Sequence, residues 1–177
     1  MPKPLAEVSI NQAKKIKWLL TDVDATLTWE GALPHETYVA LAKLKQAGVN
    51  VVAVTGACAG WCDQIAKLWP IHGVIGENGA FWMKKTVNGF VTHETKALAD
   101  MKRQQAELIK QLNNLLLDYP DVGFAFAQPF RYCDVAINLS QDREPISDQV
   151  CEALLTKIKK LTIEGHCVNA VLSSIHL

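Results

Sequence analysis

Two aspartates stand one residue apart where an apolar segment ends. The segment over residues 16–22 predicts a strand that finishes in Asp22, and Asp24 lies just beyond it. Two carboxylates so close repel each other and are costly to desolvate, and a bound divalent cation is the usual compensation. A carboxylate beside a hard cation can attack phosphorus, while a second carboxylic acid protonates the leaving oxygen. The pair therefore predicts an acidic metal site.

The same two aspartates also have a simpler interpretation. Asp is common at turns and helix starts, so Asp22 and Asp24 could merely cap a turn or the next helix. A calcium-binding EF-hand loop is excluded, because it needs Gly at its sixth position and Glu at its twelfth. This chain has Leu27 and Leu33 there. The spacing of the residues that follow has to decide between a cap and a metal site.

Three predicted strands each lead into polar residues. The strands cover residues 16–22, 49–54 and 73–75, and the polar residues are Asp22 and Asp24, Thr55 and Gly56, and Glu77, Asn78 and Gly79. A helix that begins near Pro34 and ends at Gly48 joins the first two strands, which predicts a right-handed parallel crossover. Ligands bind at the carboxyl ends of such strands, so we expect these polar groups to meet in one crevice. A hydroxyl and a Gly N–H before a helix suit phosphate.

The order of these motifs resembles the haloacid dehalogenase superfamily of phosphohydrolases. The matching segments are Asp22-Val23-Asp24-Ala25-Thr26-Leu27-Thr28, Thr55-Gly56 and Glu77-Asn78-Gly79-Ala80. They are most similar to the branch whose inserted cap follows the Glu-Asn-Gly-Ala turn, which includes sugar-phosphate phosphatases and phosphomannomutases. The resemblance implies an α/β fold, with a Rossmann-like parallel-sheet core that is incomplete in this chain and an inserted α+β cap domain.

The resemblance also implies a role for each matching residue. Asp22 would be the nucleophile and a Mg²⁺ ligand, and Asp24 would be the general acid and base whose backbone carbonyl also meets the metal. Thr55 and the amide of Gly56 would hold the phosphoryl group, and Asn78 would lie on the substrate side. The implied reaction hydrolyses a small phosphorylated metabolite, such as a sugar phosphate, through an aspartyl-phosphate.

Other functions stay open at this point. A phosphomutase of the same lineage would return the phosphoryl group to its substrate, and a non-catalytic relative would only bind a ligand through the same crevice. A nucleotide-sugar transferase that holds Mn²⁺ with Asp22 and Asp24 is a third alternative, but it would not need Thr55 and Gly56. Asp at position 24 favours hydrolysis, because that reaction needs a proton donor and then a base.

Two residues depart from the family pattern inside the motifs. Ala25 stands where the family usually has Gly, so the loop has lost some of the freedom of Gly to adopt a positive φ. Ala57 stands where the family often has Arg, so a contact to an anion is missing. Neither change removes the chemistry that Asp22 and Asp24 would perform.

The pattern changes after residue 82. The elements predicted there are a hairpin with a tight turn at Asn88-Gly89, a helix over residues 95–118, strand segments over 123–127 and 132–139, a helix after Pro145 and a strand from near Val168. We therefore predict that residues 1–82 form the N-terminal part of the hydrolase core and residues 83–177 the cap domain. Arg131, Tyr132 and Asp134 could face a substrate, although such residues are ordinary on a solvated strand.

Part of the family pattern has no counterpart in this sequence. After the cap, the family continues with a Lys that neutralises the phosphoryl group and a Gly-Asp segment that completes the Mg²⁺ site, and no segment here matches them. We expect a fragment of a longer polypeptide, in preference to a site completed by another chain or a shortened relative. The strand that ends in Asp22 would then expose an apolar edge that invites self-association.

Composition and charge narrow the partners and the location. The 177 residues are 49% hydrophobic, and Lys plus Arg equal Asp plus Glu, so nothing favours nucleic acid or an acidic membrane surface. The sequence has no signal-peptide pattern and no apolar run near the ~20 residues of a membrane span, so we expect a cytoplasmic protein.

The five cysteines lack zinc spacing, and a redox role for Cys58 and Cys62 has no support.

Overall fold

Helices and strands alternate through the first half of the chain, and a different arrangement follows. The computed structural model describes residues 4, 7–140, 143–163, 166–167 and 170–173. In chain order the elements are α1 (Ile10–Ala13), β1 (Trp18–Asp22), α2 (His35–Gln46), β2 (Asn50–Val54), α3 (Ala59–Leu68), β3 (Gly73–Gly76), β4 (Phe81–Thr86), β5 (Gly89–Glu94), α4 (Leu98–Leu116), β6 (Gly123–Phe124), β7 (Val135–Asn138), α5 (Asp148–Ile158), β8 (Thr162–Ile163), β9 (His166–Cys167) and β10 (Ala170–Ser173).

The largest sheet has five strands in the order β1-β2-β3-β4-β5. Strands β1, β2 and β3 are parallel, as the sequence predicts, and β4 and β5 continue the sheet as an antiparallel hairpin. Helices α2 and α3 form the two crossovers, because each apolar strand is followed by a segment with helical spacing. The predicted α/β fold, with a Rossmann-like parallel sheet, is confirmed.

The core of this sheet lies under β2, β3 and α3. Val51, Ala53 and Val74 point into it from the strands and are almost completely buried. Gly76 ends β3 against the same core, and a Cβ there would lie 2.6 Å from Sγ of Cys62 and would overlap the ring of Phe81. A residue without a side chain is therefore what lets the end of β3 approach α3 this closely.

Strand β1 differs from its prediction in one respect. The sequence predicts a buried strand, but the exposed fraction is 53% for Trp18 and 62% for Leu20. In the described part of the chain, β1 pairs only with β2 and is the edge of the sheet. The apolar composition of β1 is thus that of a buried strand, while its position leaves one side uncovered.

The hairpin belongs to the same sheet as β1, β2 and β3. Phe81 of β4 pairs with Gly76 of β3. Most of this hairpin nevertheless lies within residues 83–177, which the sequence predicts to form the cap domain. The two turn residues between β4 and β5 are Val87 and Asn88, one position before the predicted pair, and Gly89 has a φ of 125°. The division of the chain at residue 82 stays a prediction.

A second apolar cluster forms around α4, α5 and β7. It contains Leu112 of α4, Leu154 of α5 and Ile137 of β7, all fully buried. The alternation of apolar and more polar residues over 132–139 predicts a strand with one solvated face. That prediction is wrong, since every residue of β7 is buried, because β6 and β10 flank β7 and both helices pack nearby. Residues 168–169, where the last strand is predicted to begin, lie outside the described residues. No described helix is both long and apolar enough to cross a membrane.

Candidate active site

The carboxyl ends of β1, β2 and β3 meet at one edge of the sheet. Asp22 is opposite Val54, and Val54 is opposite Ile75, so the polar residues that follow each strand start at adjacent places. The backbone N–H of Thr55 donates to the carbonyl of Ile75 at 2.9 Å, and that of Asn78 donates to the carbonyl of Thr55 at 3.4 Å. The sheet register thus places residues that are far apart in sequence at the same edge of the sheet.

Several residues of the loop after β1 donate hydrogen bonds to one backbone carbonyl. The oxygen of Val23 accepts bonds from the backbone N–H groups of Leu27 and Thr28 at 2.9 and 3.0 Å, and from the Thr28 hydroxyl at 3.1 Å. The side chain of Val23 is buried, which leaves the flanking residues Asp22 and Asp24 on the exposed side. Backbone hydrogen bonds and one apolar anchor therefore present both carboxylates together.

The two aspartates interact electrostatically. Burial, and then the charge of Asp22, raise the pKa of Asp24 above its ordinary value. Two oxygen-donor carboxylates that repel each other suit a hard divalent cation such as Mg²⁺. On this observation the donor set at Asp22 and Asp24 fits the metal that the sequence predicts.

A tight turn follows β2. Thr55 is buried, and its hydroxyl oxygen accepts a hydrogen bond of 3.0 Å from the backbone N–H of Ala57. Gly56 lies against Asn78, since a Cβ on Gly56 would be 3.3 Å from Oδ1 of Asn78. The structure thus brings Thr55, Gly56 and Asn78 together.

Glu77 is a buried carboxylate whose two oxygens accept four hydrogen bonds from backbone N–H groups. Its side chain is almost inaccessible, since Glu77 is 2% exposed. Oε1 accepts from the N–H of Ala59 at 3.1 Å and of Tyr132 at 2.7 Å, and Oε2 accepts from Cys133 at 2.7 Å and Asp134 at 3.1 Å. Glu77 therefore connects residues 132–134 to the start of α3 and to the end of β3.

Asp134 lies in a loop, although the sequence predicts a strand over 132–139, and Arg131 lies in the same loop. Arg131 is 5% exposed and donates from Nη1 to the carbonyl of Gly56 at 3.0 Å. Asp134 accepts from Nδ2 of Asn78 at 3.0 Å and lies 3.8 Å from the Arg131 guanidinium. Both side chains thus contact the turns that follow β2 and β3.

The sequence predicts no separate role for Glu77, and it does not predict the contact between Arg131 and Gly56. One signal for Glu77 was present: a carboxylate directly after an apolar strand is expected to be paired if it is buried. For Arg131 no comparable signal exists, because its partner is a backbone carbonyl 75 residues away. Every residue has a backbone carbonyl, so the residue types in a sequence do not indicate which carbonyl will accept a hydrogen bond from a given side chain.

A second group of potential ligands fits a metal less well. One atom each of Glu77, Cys133 and Asp134 lie within 4.8 Å of one another. Both oxygens of Glu77 already accept two N–H bonds each. Burial, then Asp134 and Glu77, raise the pKa of the Cys133 thiol far above its ordinary value, so it stays protonated. The group is explained as packing around a buried carboxylate.

Cys62 of α3 and Cys58, the residue just before α3, are buried and form no disulfide. Cys58 and Cys62 are both free. Burial, followed by the neighbouring Cys58 and Glu77, raises the pKa of Cys62 to about 12. A protonated, buried thiol is a poor nucleophile, so the structure adds no support for redox chemistry at this pair.

Comparison with known proteins assigns the chain to a family. A family model described as haloacid dehalogenase-like hydrolase matches residues 19–172. The chain belongs to the haloacid dehalogenase-like hydrolases. No curated protein matches it.

One solved structure supports the same fold, and a second is reported as a weaker likeness. Protein 0175 of Thermoplasma acidophilum is similar with a TM-score of 0.55 and 14% identity, over 81% of this chain and 56% of that one. BT1666 from Bacteroides thetaiotaomicron, described among phosphatases of the haloalkanoate (HAD) enzyme superfamily, has a TM-score of 0.43 and 23% identity, over 86% of this chain and 50% of that one. The chain thus spans about half the length of these two proteins.

Proposed function

We propose that this hydrolase is a Mg²⁺-dependent phosphatase for a small phosphorylated metabolite, such as a sugar phosphate. The observation that carries the proposal is the register of β1 against β2, which sets Asp22 beside Val54 and hence beside the Thr55-Gly56 turn. A nucleophilic carboxylate and a turn able to bind an anion are thereby neighbours. Phosphoryl transfer depends mainly on such positioning and on charge compensation.

Each proposed step uses a group on this edge of the sheet. A carboxylate oxygen of Asp22 attacks phosphorus, the bond from phosphorus to the substrate oxygen breaks, and Asp24 gives that oxygen its proton. Asp24 then takes a proton from water, the water oxygen attacks phosphorus, and phosphate leaves as Asp22 is regenerated. The hydroxyl of Thr55 and the N–H of Gly56 hold the phosphoryl oxygens.

The groups proposed to hold Mg²⁺ are the carboxylate of Asp22 and the backbone carbonyl of Asp24. When bound, the ion supplies positive charge that offsets the repulsion between the carboxylates and the phosphoryl group. Asn78 is proposed to contact the substrate, because it is exposed beside Gly56.

The test is phosphate release from a panel of sugar phosphates, with and without Mg²⁺. We expect Asp22→Asn to abolish release and Asp24→Asn to reduce it strongly, whereas Asp121→Asn, in an exposed turn, retains full activity. A chelator should stop the reaction and added Mg²⁺ should restore it. Full activity of Asp22→Asn would contradict the proposal. Transfer of phosphate to a second sugar position instead of to water would indicate a phosphomutase.

A further inference from the structure

We propose that Arg131 is a positioning residue for the Thr55-Gly56 turn, and that it acts by fixing the peptide between Gly56 and Ala57. This aims the Thr55 hydroxyl at the phosphoryl group. The inference rests on the proposed phosphate-binding role of Thr55.

The guanidinium of Arg131 is held at the turn in a buried position. Its side chain is 6% exposed, and Nη1 donates to the carbonyl oxygen of Gly56 at 3.0 Å. Nε is buried and has no hydrogen-bond partner among the described residues. An Arg side chain keeps its charge under all ordinary conditions, so burial here requires compensating contacts. The Gly56 carbonyl and Asp134, 3.8 Å away, are the contacts that the structure gives it.

The contact with Gly56 reaches Thr55 through one peptide unit. The carbonyl of Gly56 and the N–H of Ala57 belong to the same planar group, so fixing the oxygen also fixes the direction of the N–H. That N–H donates to Oγ1 of Thr55 at 3.0 Å. A hydroxyl that accepts a bond in this way keeps its own hydrogen free to donate. Arg131 thus determines which way the Thr55 hydroxyl can donate, and an anionic oxygen is the acceptor that it suits.

The loop that carries Arg131 is itself fixed from both sides. Glu77 binds the N–H groups of the next three residues, with distances between 2.7 and 3.1 Å. The carbonyl of Arg131 accepts hydrogen bonds from Nζ of Lys102 and from Nε2 of Gln105. Gln105 is buried and also donates to the carbonyl of Asp134 at 2.9 Å. The guanidinium is therefore placed before any ligand arrives, which is what a positioning residue requires.

A double-mutant cycle separates action through Thr55 from direct contact with the ligand. The probe is inorganic phosphate, titrated by calorimetry in the presence of Mg²⁺ with Arg131→Met, Thr55→Val and the double variant. We expect each single variant to weaken binding about tenfold, the loss of roughly one hydrogen bond to a charged ligand. The double variant should bind no more weakly than Thr55→Val. Multiplied losses would show that Arg131 contacts the ligand independently and would overturn the inference.

A second measurement decides the question without ligand binding. Amide hydrogen exchange at Ala57 should become about tenfold faster in Arg131→Met, because the peptide loses its restraint. It should stay unchanged in Arg103→Met, whose side chain is exposed on α4. Unchanged exchange in Arg131→Met would contradict the inference. If the unmodified protein binds no phosphate, the proposed function fails, and exchange at Ala57 still decides whether Arg131 fixes the turn.

A conservative variant covers loss of folding. If Arg131→Met loses its native circular dichroism, Arg131→Lys replaces it, because an ammonium can still donate to the Gly56 carbonyl. We expect Arg131→Lys to bind phosphate with an affinity between those of the unmodified protein and Thr55→Val. Weaker phosphate binding by Arg131→Lys combined with Thr55→Val than by Thr55→Val alone would contradict the inference.

Discussion

Oε1 of Glu77 accepts a 2.7 Å hydrogen bond from the backbone N–H of Tyr132, 55 residues further along the chain. Glu77→Gln would replace one carboxylate oxygen with an amide that cannot accept, so two of the four backbone donors would lose their partner. We predict a loss of about 3 kcal/mol in the free energy of unfolding. Chemical denaturation followed by circular dichroism measures it.

The control for Glu77 is the same substitution on a helix surface. Glu152 is exposed on α5, and Gln has nearly the same helix propensity, so Glu152→Gln should leave the free energy of unfolding unchanged. Equal effects of the two substitutions would show that the buried carboxylate contributes nothing specific.

The stability of the protein should depend on pH through Asp134. Burial and then Glu77 raise the pKa of Asp134 from its ordinary value of 3.8, although Arg131, Asn78 and Cys133 oppose the shift. The folded state therefore favours the protonated acid, so this carboxyl contributes stability at low pH and loses it as the pH rises through the raised pKa. We predict that the stability of Asp134→Asn relative to the unmodified protein is greater at pH 7 than at pH 4, because only the unmodified carboxyl loses stability as the pH rises. Denaturation of both proteins at both pH values is the measurement, and a stability difference that favours Asp134→Asn more at pH 4 than at pH 7 would contradict the argument.

Ala25 has a backbone conformation that is unfavourable for alanine. Its φ is 54°, in the left-handed region, at the position where the loop after β1 turns. We predict that Ala25→Gly raises the free energy of unfolding by about 1 kcal/mol, because only Gly adopts this conformation without strain. Ala40→Gly, in the exposed middle of α2, should lower it by about 1 kcal/mol. Thermal or chemical denaturation of the pair is the comparison.

The uncovered side of β1 should promote self-association. Leu20 is 62% exposed on an edge strand. We predict that sedimentation velocity finds concentration-dependent association of the 177-residue chain and that Leu20→Lys reduces it, since a charge on an edge strand discourages pairing. Val87→Lys, at the fully exposed hairpin turn, should not change the distribution. Association that survives Leu20→Lys would place the contact elsewhere.

Strong local patterns made much of the first half predictable. The β-branched run that becomes β2 predicts a parallel strand, and Gly48 marks the end of α2 with a φ of 76°. Because parallel strands present their carboxyl ends together, the placement of the residues after β1, β2 and β3 at one edge of the sheet could be predicted with no distance known. Their chemical roles stay predictions.

Features that depend on distant backbone groups were not predictable. The contact between Arg131 and Gly56 joins a side chain to a carbonyl, and every residue has a carbonyl. The exposure of β1 could not be read from its composition either, because Trp18 and Leu20 are apolar whether or not a neighbour covers them. The hairpin joins the first sheet because Gly76 pairs with Phe81, and pairing partners leave no periodic signal.

The packing at Gly76 limits how far this sequence can diverge. With Sγ of Cys62 2.6 Å from where any β-carbon would stand, a library randomised at position 76 should return glycine among its folded members. Glycine is therefore the residue that we expect to persist at position 76 in every folded variant of this sequence, even where its neighbours on the third strand are replaced.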